Sequence, residues 1–265
     1  MASRDIRRHH EAILAAAGGQ WFDFEGLVRD IYVSILAPGD TALEVGVNEG
    51  VHFHQLVERV GPQGRVIGVE AAPAMAEKAL EGLRCLGLGG RPHVLHNVAV
   101  SDYSGTARFF FVKDQPGLSS LAARAAATGY LSEEIEVPVT TIDALLEREP
   151  GRIAFTKIDI EGAEFSALKA AGRVFRDGGP IVFEFDHETP RLFGFHPDDM
   201  AALFAGHGYV IHDFFGNRFG SGSDLMASAV WNFFAAPAGG FERHDVARIV
   251  ARSLARGGIA LPPAA

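Results

Sequence analysis

Cysteine is almost missing: Cys85 is the single one in 265 residues. No disulfide can close within the chain, and no cysteine-based zinc cluster can form. Positive charge is also scarce, with 24 Lys and Arg against 33 Asp and Glu and a net charge of −9. That balance excludes the broad basic footprint of a nucleic-acid-binding surface. The one basic cluster, Arg4, Arg7 and Arg8 with His9 and His10, reads as a solvated terminus. No apolar run is long enough to span a bilayer. The amino end lacks a charged segment leading into an apolar core, so no secretory signal is expected. A cytoplasmic location fits these absences.

What the chain has is glycine, 31 residues of it, and an ordinary globular balance of 48% hydrophobic and 22% charged residues. Frequent glycine suits a fold with many tight strand-to-helix turns. The length suits one α/β domain with short appendages. A helical extension is expected over 1–40, from a helix over Asp5–Ala17 stopped by Gly18 and Gly19 and a second apolar segment over Gly26–Leu36. From Thr41 onward, in a domain expected over 41–237, strands alternate with helices. Strands are predicted over Thr41–Val47, Arg65–Val69, His93–Val100, Ile153–Ile160 and Pro180–Asp186. Helices are predicted over Val51–Val60, Pro73–Leu86, Ala163–Ala171 and Pro197–His207. The alternation breaks over 101–140, where added extended pieces (Thr106–Val112, Val137–Thr141) flank an alanine-rich stretch within Gly117–Tyr130. Tyr209–Phe215 and Ala229–Ala236 have no helix-length segment between them, so they should pair antiparallel. A tail over 238–265 carries a helix at Arg243–Leu254 and a loose end. The pattern predicts an α/β fold with a mostly parallel sheet ending in an antiparallel hairpin.

Ligands of open α/β sheets sit beyond the carboxyl ends of the strands. Three strand ends carry informative residues. The first is Glu44-Val45-Gly46-Val47-Asn48-Glu49-Gly50. Gly46 and Gly50 allow a sharp turn and a close backbone approach, and the following helix start offers N–H groups. A dinucleotide site needs G-x-G-x-x-G, yet Asn48 and Val51 stand at its second and third glycine positions. Glu44 suits an ammonium better than a phosphate. The second is Glu70, 24 residues after Gly46, placed to accept hydrogen bonds from ribose hydroxyls. The third is Lys157-Ile158-Asp159-Ile160-Glu161-Gly162-Ala163-Glu164. Strand alternation puts Lys157, Asp159 and Glu161 on one face, where charges must be paired or used.

These segments, with Val66-Ile-Gly-Val-Glu70, Asn97-Val-Ala-Val-Ser-Asp102 and Val139-Thr-Thr-Ile-Asp143, resemble the FkbM-type methyltransferases over about Thr41–Tyr209. The resemblance implies a Rossmann-like three-layer sandwich with a seven-stranded sheet, and S-adenosylmethionine as cofactor. It implies that Gly46, Asn48 and Gly50 line the methionine and ribose part, and Glu44 and Val47 are expected at the cofactor beside them. Glu70 would hold the ribose, Asn97, Val98 and Ala99 would lie near the adenine, and Asp159 beside the reactive end. It also implies O-methylation of a small molecule such as a sugar or natural product. The chain departs from the family pattern at Glu44, Val47, Glu49 and Phe53.

Methyl transfer to a hydroxyl needs a general base. Asp159, Glu161, Glu184, Asp186 and His187 lie at neighbouring strand ends. His187 is the expected base, because imidazole titrates near neutral pH, with Asp159 and Glu161 positioning it or the acceptor. Ser119, Ser120 and His187 are expected at the acceptor, with Phe193, Phe195, Phe214 and Phe215 as walls. His52 and His54, two positions apart on a helix, do not share a face, and no metal site is expected. The terminal segments either form a homodimer contact or cover the sheet. The alternatives are an NAD-dependent oxidoreductase and a non-catalytic nucleoside-binding domain on the same fold.

Overall fold

The computed structural model describes residues 3–17, 22–123 and 129–259. The Gly18-Gly19 stop, positions 124–128 of the alanine-rich stretch and the end past 259 lie outside them. Two helices come first, α1 (Ser3–Ala16) and α2 (Phe24–Ile35). Asp23 caps α2 by accepting the Gly26 N–H at 2.8 Å. Then β1 (Thr41–Val45), α3 (Val51–Val60), β2 (Arg65–Glu70), α4 (Pro73–Cys85) and β3 (His93–Asn97) alternate as the sequence predicts.

The next segment departs from that prediction. The third strand breaks at Val98, and β4 (Ala99–Val100) leaves the main sheet. It pairs with β6 (Ser132–Thr140), which runs antiparallel to β5 (Gly105–Val112) over eight residue pairs. The 101–140 region is therefore a β-arm rather than a loop with isolated extended pieces. Among its described residues the buried hydrophobic ones are Phe109, Val112, Val137 and Val139, and Ser101, Ser119 and Ser120 are buried with them.

The alternation then resumes with α5 (Ile142–Leu146) and β7 (Ile153–Ile158). The helix expected over Ala163–Ala171 is α6 (Glu164–Lys169), and a further short helix, α7 (Gly172–Asp177), follows it. Asp143 separates them by accepting the Gly172 and Arg173 N–H groups at 2.9 and 2.8 Å. There follow β8 (Ile181–Glu184), α8 (Thr189–Phe193), α9 (Pro197–Gly206), β9 (Tyr209–Asp213), β10 (Arg218–Phe219), α10 (Gly222–Ala227), β11 (Asn232–Pro237), α11 (Gly240–Arg243) and α12 (Val246–Arg256).

Among the described residues the main sheet has eight strands, in the order β10-β9-β11-β8-β7-β1-β2-β3. β3, β2, β1, β7 and β8 run parallel. β11 is antiparallel to both β8 and β9, which realises the hairpin expected from the short connection. The count differs from seven because Arg218–Phe219 turns back on β9 and adds an edge strand.

Alternating side chains divide the core into two layers. Ala42, Val66, Phe155, Val182 and Phe234 share one layer with residues of α2, α3 and α12. Leu43, Ile67, Ile158, Phe183 and Phe233 share the other with residues of α7, α9 and α10. The helices on both faces hold the strand ends together, and the β-arm stands over that edge. α1 is fixed by a buried polar contact: His10 Nε2 donates to Asp213 Oδ2 at 2.6 Å while His10 Nδ1 accepts the Ala229 N–H at 3.0 Å. No described helix is long and apolar enough to cross a membrane.

Candidate active site

The carboxyl ends of β1, β2, β7 and β8 open into a cavity of about 320 Å³. Gly46 and Asn48 line it after β1, Glu70 and Ala71 after β2, Val98 and Ala99 after β3. Asp159, Ile160 and Glu161 line it after β7, and Glu184 does so at the end of β8. The arm closes over with Phe109, Gln115 to Ser119, and Leu121. Helix α2 adds Glu25.

The β1 turn is shaped by a close approach. Gly46 has φ +89°, and a Cβ there would lie 1.8 Å from the Asp159 carbonyl oxygen. Only glycine lets the two strand exits pass so closely. Asn48 also takes a left-handed conformation, at φ 50°. Its Oδ1 is buried without a hydrogen-bond partner among the described residues, so it is an acceptor available to a ligand donor. Its N–H donates to Glu70 Oε2 at 2.7 Å, while the Ala72 N–H donates to Glu70 Oε1 at 2.8 Å. Burial pushes the Glu70 carboxyl up, and these backbone bonds pull it back. Each carboxylate oxygen keeps lone-pair capacity for a second donor. Asn97 is exposed outside the lining, where its Nδ2 donates to the Glu70 and Ala71 carbonyls at 2.8 and 3.1 Å. Val47 is buried in the core, and Gly50 begins α3; neither lines the cavity.

Glu44 does not meet the cavity. It is buried opposite Lys157 in the β1–β7 register, and its Oε2 has no hydrogen-bond partner among the described residues. Lys157 gives its Nζ hydrogen to Asp159 at 2.8 Å instead. Burial pushes the Glu44 carboxyl up to about 8, with Lys157 opposing. A raised carboxyl binds its proton more tightly in the folded state, so its contribution to stability is lost as pH rises from 4.5 through 8. Between about pH 6 and 9 the wild type should therefore lose about 2 kcal/mol more stability than Glu44→Gln, in which this group no longer titrates. Thermal unfolding of both proteins at the two pH values checks this.

At the β7 exit the chain turns through Glu161 at φ 55° and Gly162 at φ 109°. A non-glycine residue in that region stores strain and needs bracing. Buried Glu164 supplies it, accepting the Ile160 and Gly162 N–H groups at 2.8 and 3.2 Å. Ser120 Oγ donates to the Glu161 carbonyl at 2.7 Å, which ties the arm to the turn. Ser119 lines the cavity, while its Oγ accepts the Val112 N–H at 3.0 Å. Ser119 thus bonds within the arm, and Ser120 bonds across to the turn after β7.

Asp159, Glu161 and Glu184 each offer a carboxylate oxygen, all within 4.8 Å of one another. Burial, and then the negative charges of Asp159, Glu161 and Glu164, raise the Glu184 carboxyl well above its ordinary value. Asn232 Nδ2 steadies it at 3.3 Å. His187 lies elsewhere: it is exposed and outside the lining. β8 ends at Glu184, and Asp186 Oδ1 accepts the Glu188 and Thr189 N–H groups at 2.6 and 3.2 Å, a turn that carries His187 outward. Phe193, Phe195, Phe214 and Phe215 do not line the cavity either; Phe214 is fully buried and Phe195 stacks on Phe165 at 4.5 Å. His52 and His54 point apart, towards Glu25 and the Ala79 carbonyl. Sequence reasoning missed Glu25, Phe109 and Gln115 to Leu118. The Pro116-Gly117 pair marks a turn in the arm, but Glu25 sits in no motif.

The model of the FkbM methyltransferase domain matches residues 44–211. The chain belongs to the FkbM methyltransferase family. Its domain is a methyltransferase domain, and this sets aside the oxidoreductase alternative. The chain is similar to the protein-L-isoaspartate O-methyltransferase of Ignicoccus hospitalis, 46% identical over 20% of this chain and 25% of that protein. It is 29% identical to the enzyme of the same name from Methanococcus aeolicus over 44% of this chain and 56% of that protein. It thus spans between a quarter and just over half of these relatives. A putative rRNA-methylase from Clostridium thermocellum shares the fold, with TM-score 0.50 and 12% identity over 82% of this chain and 97% of that one.

Proposed function

We propose that this FkbM protein methylates a hydroxyl group on a small molecule, using S-adenosylmethionine, with Glu184 as general base. The observation that carries the reading is the cavity at the strand ends, with Glu70 on one side and the Asp159–Glu161–Glu184 trio on the other. The residues fit the cofactor. Beside the Gly46 turn, Asn48 Oδ1 awaits a donor, and Glu70 can accept from two ribose hydroxyls.

S-adenosylmethionine, when bound, supplies an electrophilic methyl group on a sulfonium. The residues of the chain do the rest. Gly46, Asn48 and Glu70 fix the donor, and the arm residues Phe109, Leu118 and Leu121 exclude water from the reacting centre. Glu184 would take the proton from the acceptor hydroxyl, leaving that hydroxyl oxygen to receive the methyl group that the bound donor would supply, with the donor leaving as the neutral thioether. A carboxyl raised by burial is a stronger base than an exposed one. Asp159, held by Lys157, orients Glu184 and the acceptor. Incubating the protein with methyl-labelled donor and a panel of sugars, phenols and hydroxylated natural products tests the reading. Label on an acceptor oxygen supports it. Label only on nitrogen or carbon overturns the hydroxyl assignment, and no transfer at all favours a nucleoside-binding role. EDTA should leave the rate unchanged; its loss would mean that the three carboxylates hold a divalent cation instead of sharing a proton.

A further inference from the structure

Glu25 lines the cavity from α2, which precedes the first residue of the family match. Its side chain is 62% exposed, so it reaches open space. It is also held from behind. His52 on α3 bonds its Nε2 to Glu25 Oε2. A carboxylate can only accept, so Nε2 carries the proton. His52 Nδ1 faces the Tyr32 hydroxyl at 3.2 Å, and that hydroxyl donates to Gln55 Oε1 at 2.9 Å. Tyr32 packs on Phe155 in the core, with ring centroids 5.8 Å apart. The chain of contacts runs from the sheet to the cavity wall and fixes one carboxylate there.

The residues around it give this carboxylate a task. Glu25, Glu44 and Asp159 share the field of one buried cation, Lys157. Glu44 lies below the surface, and Asp159 on the cavity wall gives its Oδ2 to Lys157, so Glu25 adds a further carboxylate to the wall that includes Gly46. Glu25 keeps one carboxylate oxygen, Oε1, without a hydrogen-bond partner among the described residues, and its bond to His52 lowers its carboxyl below the usual range. An anion on the cavity wall that Gly46 shares complements a ligand cation.

We propose that Glu25 is a cofactor-binding residue, whose free carboxylate oxygen holds the α-ammonium of the methionine tail of S-adenosylmethionine. This rests on the cofactor reading above and transfers to α2 the role the sequence pointed to at Glu44. A charge-assisted hydrogen bond of this kind is worth roughly tenfold to hundredfold in affinity.

The test is calorimetric titration of the full chain with two ligands: S-adenosylhomocysteine, which has the ammonium, and methylthioadenosine, which lacks the amino-acid tail. Glu25→Gln should weaken S-adenosylhomocysteine binding by at least about tenfold and leave methylthioadenosine binding unchanged. Glu25→Asp should recover part of the loss. Equal weakening of both ligands, or of neither, overturns the proposal. If Glu25→Gln unfolds, His52→Gln is read instead, with the same selective loss expected from a carboxylate no longer held. Wild-type protein that binds neither ligand would refute the cofactor reading itself, an outcome separate from the failure of Glu25.

Discussion

Replacing Gly46 by alanine should abolish measurable binding of S-adenosylhomocysteine and destabilise the fold by roughly 3 kcal/mol. Two effects combine. The residue sits at φ +89°, which an L side chain rarely adopts, and its new methyl group would lie 1.8 Å from the Asp159 carbonyl oxygen. The neighbour is backbone at the exit of β7, so it yields only if that exit moves. Such movement shifts Asp159 and Glu161 together and opens the cavity on the donor side. Gly39 is the control. It has φ +97°, but an added Cβ would meet nothing within 4 Å. Gly39→Ala should show the backbone penalty and retain ligand binding. Thermal unfolding and calorimetry on both variants check this, and Gly46→Ala with normal affinity would contradict it.

Glu184→Gln should lower kcat by roughly 10²- to 10⁴-fold while donor affinity stays within about twofold. The amide keeps the shape of the side chain and its place beside Asn232 but cannot accept the acceptor's proton. The pH dependence carries a second signature. A raised carboxyl must lose its proton before it can act, so wild-type kcat climbs with pH above the ordinary carboxylate range. The variant should lose that limb. His187→Ala should leave both the rate and the profile unchanged, since its side chain is exposed and outside the cavity. The opposite pattern, with His187 essential and Glu184 dispensable, would restore histidine as the base.

The two variants also mark how far the sequence can be read. Strand ends are legible because buried parallel strands are short apolar runs closed by glycine or charge. Gly46, Glu70 and Asp159 therefore stand out, and all three line the cavity. The helix register is legible too: Val51–Val60 has the predicted limits. The sequence points to His187 because it follows β8 closely, and only the Asp186 turn decides that it lies exposed, outside the cavity lining. The place expected of Glu44 differs for a related reason. Alternation says which face of the sheet a residue takes, but not whether that face is covered; here Glu44 is buried opposite Lys157. Glu25 is invisible in the sequence because its place in the wall depends on tertiary packing across 27 residues to His52. The arm is partly legible as extended pieces, but pairing between Gly105–Val112 and Ser132–Thr140 spans a segment without strand periodicity.

A structure of the protein with S-adenosylhomocysteine bears most directly on the whole account. It should show the nucleoside in the cavity, both ribose hydroxyls on the Glu70 carboxylate and the amino-acid tail along the Gly46 turn. An empty cavity at saturating ligand, or a nucleoside bound elsewhere with Glu70 still held only by Asn48 and Ala72, would contradict it.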